Sequence, residues 1–383
     1  MSAFETEDAI YKLPDSLVKP YLDELFGNPH FLGGLKAYTP EPLFQAILEY
    51  KEKINDVRGF QGLIILNILK FIEKNSITAL TSGGLEHLNT TERYLFISNH
   101  RDIVLDSAYL NTTLFENGFD TSQIAIGDNL MRHRISELIF RLNKSFVIKR
   151  SGAPMELYKF SVQLSNYIHD QVAGKQDSIW IAQREGRAKD GNDLTQTGLV
   201  KMLCLGNEGD LKEYVRSLHI TPVSISYEYD PCDVLKAQEF LNKKANPDDK
   251  KSFEEDVQHM MLGLNGSKGR VHFQFCPTLR EQLDALDEQP NAKKKLEKLA
   301  ALIDEAIHAN YKLHAVNSVA HDLLHGTRFA EAAFSAEEIA YCTAYLEGKA
   351  AKLVNDTDGE GRAYLLAMYA NPLVNQLAVK KTS

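Results

Sequence analysis

Two clusters of residues in this chain could do chemistry. The first is Ser98-Asn99-His100-Arg101-Asp102-Ile103-Val104-Leu105-Asp106. A histidine follows a short apolar run, and a carboxylate stands six residues on, where a helix begins. A carboxylate that accepts from one ring nitrogen fixes the tautomer and leaves the other nitrogen free to take a proton from a hydroxyl. If a substrate brings the hydroxyl, His100 and Asp106 are the base and the orienting carboxylate of a triad with an external nucleophile. The same residues also fit a strand-end histidine with charged surface neighbours. The second cluster is Arg184-Glu185-Gly186-Arg187-Ala188-Lys189-Asp190-Gly191. Guanidinium forks hold phosphate bidentately, and glycine lets the backbone approach closely. The plainer alternative is a solvated charged turn. Gly127-Asp128-Asn129-Leu130 adds a further turn, and Lys149 and Arg150 add two cations.

The elements that must position these residues are legible as texture. From Tyr94 onward, short β-rich runs at 94–98, 123–127, 145–150, 178–183, 220–228 and 270–276 alternate with helical stretches. That alternation is an α/β layer architecture. Residues 1 to about 80 read mostly as helix, with Pro40-Glu41-Pro42 opening one of them. From Glu281 the chain is helical again, over 293–313, 336–354 and 362–379. The reading divides the chain into a helical N-terminal region (1–85), an α/β domain (86–280) and a helical C-terminal extension (281–383). No fixed-period repeat is present.

The chain has 383 residues, 44% hydrophobic and 25% charged, which is ordinary globular composition with ample material for a core. Lys and Arg number 43 against 52 Asp and Glu, a net charge of −9, which makes a poor bulk nucleic-acid binder, although local basic clusters can still hold a phosphate. Four scattered cysteines form no CxxC pair, which points to free thiols in a reducing compartment and to no zinc knuckle. The polar, acidic N-terminus lacks a secretory pattern. The longest apolar stretch, Leu63 to Ile72, is broken by Asn67 and Lys70 and falls short of the roughly 20 residues of a membrane span. Residues 60–72 are either the buried face of an N-terminal bundle or a helix lying on a membrane, with Lys51, Lys53, Arg58 and Lys70 around it. His308, His314, His321 and His325 read as helix surface rather than metal ligands. Trp180 reads as packing, and Tyr341, Tyr345, Tyr364 and Tyr369 as a packing face.

Four blocks stand in a telling order: NHRDIVLD (99–106), IGDNLMRHRISELIFRLNKSFVIKRS (126–151), REGRAKDG (184–191) and ITPVSISYE (220–228). Together they resemble the glycerolipid acyltransferase superfamily, in its glycerol-3-phosphate and 1-acylglycerol-3-phosphate acyltransferase-like branches. The resemblance covers residues of about 90–280. It implies an α/β fold, a mixed sheet flanked by helices, with helical N- and C-terminal extensions. It implies O-acyl transfer from acyl-CoA or acyl carrier protein to a hydroxyl of glycerol-3-phosphate or a related phosphorylated acceptor. His100 would be the general base, oriented by Asp106, and Asn129, Arg150, Glu185, Gly186, Arg187, Lys189 and Pro222 would bind substrate. The alternatives are a lysolipid acceptor (lysophosphatidate or an aminolipid) or an inactive lipid-binding homologue. No metal, cofactor or nucleic acid is implied, and the expected location is cytoplasmic, peripheral to the inner face of a membrane. Two departures stand out. Five residues separate His100 from Asp106 where the family has four, and the Glu-Gly-Arg block is one residue shorter.

Overall fold

The computed structural model describes residues 10–131, 133–149, 151–248 and 253–382. Among them, seven strands form one mixed sheet in the order β1-β7-β6-β2-β5-β3-β4. The strands are β1 Ile77–Gly83, β2 Leu95–Ser98, β3 Gln123–Gly127, β4 Ser145–Ile148, β5 Ile179–Ala182, β6 Ile220–Tyr227 and β7 Gly269–Phe275. Neighbours from β6 to β4 run parallel, β7 is antiparallel to β6, and β1 is parallel to β7. The central strands are continuous apolar runs because helices cover both faces. β1 lies in the stretch expected to be helical. It is half exposed and pairs at the sheet edge with β7, so it carries no apolar alternation. Three β-branched residues, Ile77, Thr78 and Thr81, suit an edge strand once β7 offers one.

On the N-terminal side lie helices α1 Val18–Phe26, α2 Pro29–Tyr38, α3 Glu41–Lys51 and α4 Val57–Phe60. After α4 comes one turn of π-helix, Gln61–Ile65, and then α5 Leu66–Ser76. The layers on the sheet are made by α6 Leu105–Glu116, α7 Arg134–Leu142, α8 Pro154–Ala173, α9 Thr197–Leu203, α10 Leu211–Ser217, α11 Asp233–Ala245 and α12 Phe253–Asn265, and the chain continues with α13 Ala292–Ala309, α14 Ala315–His325, α15 Ala336–Ala350 and α16 Glu360–Thr382. Local chemistry sets several of the helix starts. Asn28 caps α2 with Pro29 behind it, Asp56 caps α4, and Ser335 with Glu338 forms a capping box on α15.

One sheet face packs Leu95, Ile97, Ile179 and Ile181 under α8 and α13, so part of the C-terminal extension shares the central core. The other face packs Phe96, Val223, Ile225 and Phe273 under α5 and α6. Of the tail histidines, His325 is exposed on its helix as expected, but His308, His314 and His321 are buried, and His308 Nε2 lies 2.8 Å from the Asp193 carbonyl oxygen. A histidine ring can close a polar gap in a core as well as face water. Tyr345 and Tyr369 pack inward with both hydroxyls donating to Asp233, whereas Tyr341 is exposed. The cysteines are free, and burial pushes the Cys204 and Cys276 thiols up to about 12. Among the described residues, no helix is long and apolar enough to cross a membrane.

Candidate active site

The site is built on the end of β2. Asn99 extends the ladder with its side chain: Nδ2 donates to the Ile225 carbonyl (2.8 Å) and Oδ1 accepts the Ile225 N–H (2.7 Å). The next residue, His100, places Nδ1 2.9 Å from Asp106 Oδ2. Asp106 is fully buried in the first turn of α6, where the helix N-terminus favours a carboxylate. Its Oδ2 also accepts the N–H groups of Arg101 (2.6 Å) and Asp102 (3.0 Å). Asp102 serves a different purpose. Its Oδ1 accepts the N–H groups of Val104 (2.9 Å) and Leu105 (2.8 Å), starting the helix. These backbone bonds curl the loop and absorb the extra residue between His100 and Asp106. Burial, then the neighbouring Asp106, push the Asp102 carboxyl up. With Nδ1 engaged by a carboxylate, His100 carries its proton there and Nε2 is the basic nitrogen. The ring meets Trp180 edge-on at 5.8 Å, and Trp180 Nε1 donates to Ser98 Oγ (3.0 Å).

His100 lines an apolar cavity of about 350 Å³. Its walls include Ile65, Leu66, Ile68, Leu69 and Ile72, the inner face of α6 and the end of β3, with Leu264 of α12. The polar residues along it are largely satisfied within the protein. Thr121 Oγ1 donates to Gln61 Oε1 (2.7 Å), and Asn111 bonds to Ser122. Of the two readings of 60–72, the packing shows burial. All of that segment is described, and Lys70 is its one exposed residue. Three of the four cations expected to face lipid are held by carboxylates, Lys51 by Asp23 (3.0 Å), Arg58 by Asp120 (2.7 Å) and Lys70 by Glu116 (2.9 Å), while Lys53 lies over the Tyr50 ring at 5.7 Å.

The 184–191 loop lies against the histidine loop, with the Ala188 N–H donating to the His100 carbonyl (3.0 Å). Gly186 lines the cavity at φ 68°, a left-handed conformation that favours glycine. Arg184 also lines the cavity. Arg187 Nη2 lies 3.4 Å from His259 Nδ1 on α12. Neither guanidinium has a carboxylate in ion-pair range among the described residues. Lys189, by contrast, is neutralised by Glu239. Glu185 is exposed, and its N–H donates to Gln196 Oε1 (2.9 Å).

Of the expected binding residues, Gly186 lines the cavity, and Glu185, Arg187 and Lys189 share its loop without lining it; the other three are Asn129, Pro222 and Arg150. Asn129 is exposed and does not line the cavity, although Gly127 and Leu130 beside it do. Pro222 is buried in β6 opposite Ile97, and its carbonyl accepts the Cys276 N–H (2.9 Å). Its missing N–H would point to the same edge, where the pairing with β7 ends, so this proline belongs to the sheet. Arg150 lies outside the described residues.

The loop is braced from the far end of the chain. Gly191 sits at φ 70° against α16, where a Cβ would fall 2.1 Å from the Met368 carbonyl oxygen. Asn371 Nδ2 donates to the Asp190 carbonyl (2.7 Å). One residue of the site was not singled out from sequence: His259 lies in FEEDVQHMMLGLN, which carries no signal of a site. Arg184 belonged to the basic cluster read from sequence, and Trp180, read as packing, is buried in the core and also lines the cavity.

No protein-family model matches the chain, and no curated protein sequence does. Among solved structures it is similar to the 1-acyl-sn-glycerophosphate (LPA) acyltransferase PlsC from Thermotoga maritima, with a TM-score of 0.36 and 11% identity, over 76% of this chain and 95% of that one. At that TM-score the likeness is too loose to assign a reaction or a residue's role.

Proposed function

We propose that the chain is an O-acyltransferase that moves a fatty acyl group from a thioester to an acceptor hydroxyl. The observation that carries this is a His–Asp pair opening on an apolar cavity, with two guanidiniums unpaired by carboxylates in the adjoining loop. His100 Nε2 takes the proton of the acceptor hydroxyl as its oxygen attacks the thioester carbonyl. The tetrahedral oxyanion collapses, the carbon–sulfur bond breaks, and the imidazolium returns its proton to the departing thiolate. Asp106 holds the ring and stabilises the imidazolium between those steps.

The cavity suits the acyl chain. It is within the size range of ligand pockets and is mostly apolar. A saturated chain advances roughly 1.25 Å per carbon and eleven helical residues rise roughly 16 Å, so the wall from Gln61 to Ile72 spans about a dozen carbons. Arg187 and Arg184 suit an anionic headgroup, which favours glycerol-3-phosphate or lysophosphatidate over an aminolipid. A lysolipid acceptor would be drawn from a membrane surface, with the protein bound at its periphery.

The test is thiol release from acyl-CoA and from acyl carrier protein against a panel of acceptors, with His100→Ala as control. Release with phosphorylated acceptors, lost in the control, supports the reading. Release with an unphosphorylated lysolipid moves the assignment to that acceptor. Absence of release with every acceptor, despite binding of acyl chains, makes the protein an inactive lipid-binding homologue.

A further inference from the structure

Asp106 uses its two oxygens unequally. Oδ2 receives the His100 ring and two backbone N–H groups, while Oδ1 is buried with no hydrogen-bond partner among the described residues. The Tyr227 oxygen is in the same condition, on a side chain only 3% exposed. Strand β6 brings the two together. The paired bonds between Asn99 and Ile225 fix this strand to the histidine loop, and Tyr227 follows two residues on, on the same face of the sheet. There it shares a cluster of buried residues with Leu105 and Tyr109 of α6, close enough for the Asp106 carboxylate to act on its phenol.

We infer that Tyr227 is a positioning residue of the His100–Asp106 pair, its hydroxyl serving as the donor for Asp106 Oδ1. A phenol and a carboxylate oxygen are complementary, and leaving both buried and unpaired is costly. The other titratable groups around them are Asp102, Tyr109 and, facing Asp102, Arg187. Burial and the Asp106 and Asp102 charges hold the phenol well above its ordinary range. Tyr227 therefore stays protonated and acts as a donor, never as a base. Donation to Oδ1 fixes the rotation of the carboxylate so that Oδ2 keeps facing the ring. It also draws off part of the negative charge that His100 would otherwise feel. The kinetic arm of this inference rests on the acyl-transfer reading; the structural arm does not.

The experiment is an NMR titration of the His100 ring in the ligand-free protein and in Tyr227→Phe, with the resonance assigned by His100→Gln. Loss of a donor raises the proton affinity of the pair, so the ring's apparent pKa should rise by about one unit. In the transfer assay, kcat should fall about tenfold with the KM of both substrates unchanged. A ring that titrates identically in both proteins overturns the inference, as does a kcat loss without a shift. A shifted ring in a protein that releases no thiol leaves the positioning role standing and removes the transferase reading. As a check independent of the titration, losses in thermal midpoint from Tyr227→Phe and Asp106→Asn should combine to less than their sum. Full additivity counts against the contact.

Discussion

At Arg187 and Lys189, two cations two positions apart have different prospects. Both belong to one basic loop by sequence, and the resemblance implied both as substrate-binding. Lys189 is already held by Glu239, whereas Arg187 Nη2 lies 3.4 Å from His259 Nδ1 and has no carboxylate in ion-pair range among the described residues. A cation that has its counter-ion contributes little to a new anion. Arg187→Ala should therefore raise the KM for a phosphorylated acceptor about ten- to a hundredfold, with the donor KM nearly unchanged. Lys189→Ala should change either constant less than about threefold. Steady-state kinetics with each substrate varied in turn reads both, and equal effects of the two variants would dissolve the distinction. Residue type and spacing made the loop legible as basic. The pairing of Lys189 was not legible, because Glu239 lies fifty positions away on α11.

The helices around the cavity show the same division between what pattern reveals and what packing decides. The runs read as strands at 94–98, 123–127 and 178–183 all form strands, because buried parallel strands are written as short apolar runs. β1 was missed because it is a half-exposed edge strand that carries no apolar alternation. The segment 60–72 was legible as apolar but not as a cavity wall, since a side chain lining a hole and one filling a core are the same type. Its π turn, Gln61–Ile65, changes the helical phase where the bundle core gives way to the cavity, with Ile64 buried among the N-terminal helices and Ile68 facing the hole. Across from it, Ala108 on α6 also lines the cavity. Ala108→Leu adds three carbons to that wall, so the preferred acyl donor should become shorter while thiol release with short donors is kept. A competition assay over donor lengths reads the shift, and an unchanged preference would place the acyl chain elsewhere.

Across the whole molecule, the loop that carries His100 is tied to the C-terminal helices through buried charge. Lys236 donates to Asp230 (2.6 Å) and lies 3.5 Å from the Arg101 carbonyl, while the Asp230 N–H donates to the Tyr369 hydroxyl on α16 (3.0 Å). Against the effect of burial, Lys236 and Arg101 hold the Asp230 carboxyl down at about 2. Its folded value lies below its unfolded one, so its stabilisation is present above about pH 4 and is lost as the pH falls toward 2. Thermal midpoints measured between pH 5 and 2 should fall less steeply in Asp230→Asn than in the wild type; parallel curves would contradict that assignment. The brace on the 184–191 loop has a consequence for how the chain finds its shape. Asp190 and Asn371 meet across 181 positions of sequence. The helices close over short separations, whereas this bridge, like the β1–β7 and β2–β6 pairings of the sheet, is a distant closure and comes late in folding. On refolding, the far-ultraviolet dichroism of the helices should therefore return before the ability to bind a phosphorylated acceptor. During that lag the chain has its helices but no place for the anion, and simultaneous recovery of both signals would mean that the loop takes its shape without α16.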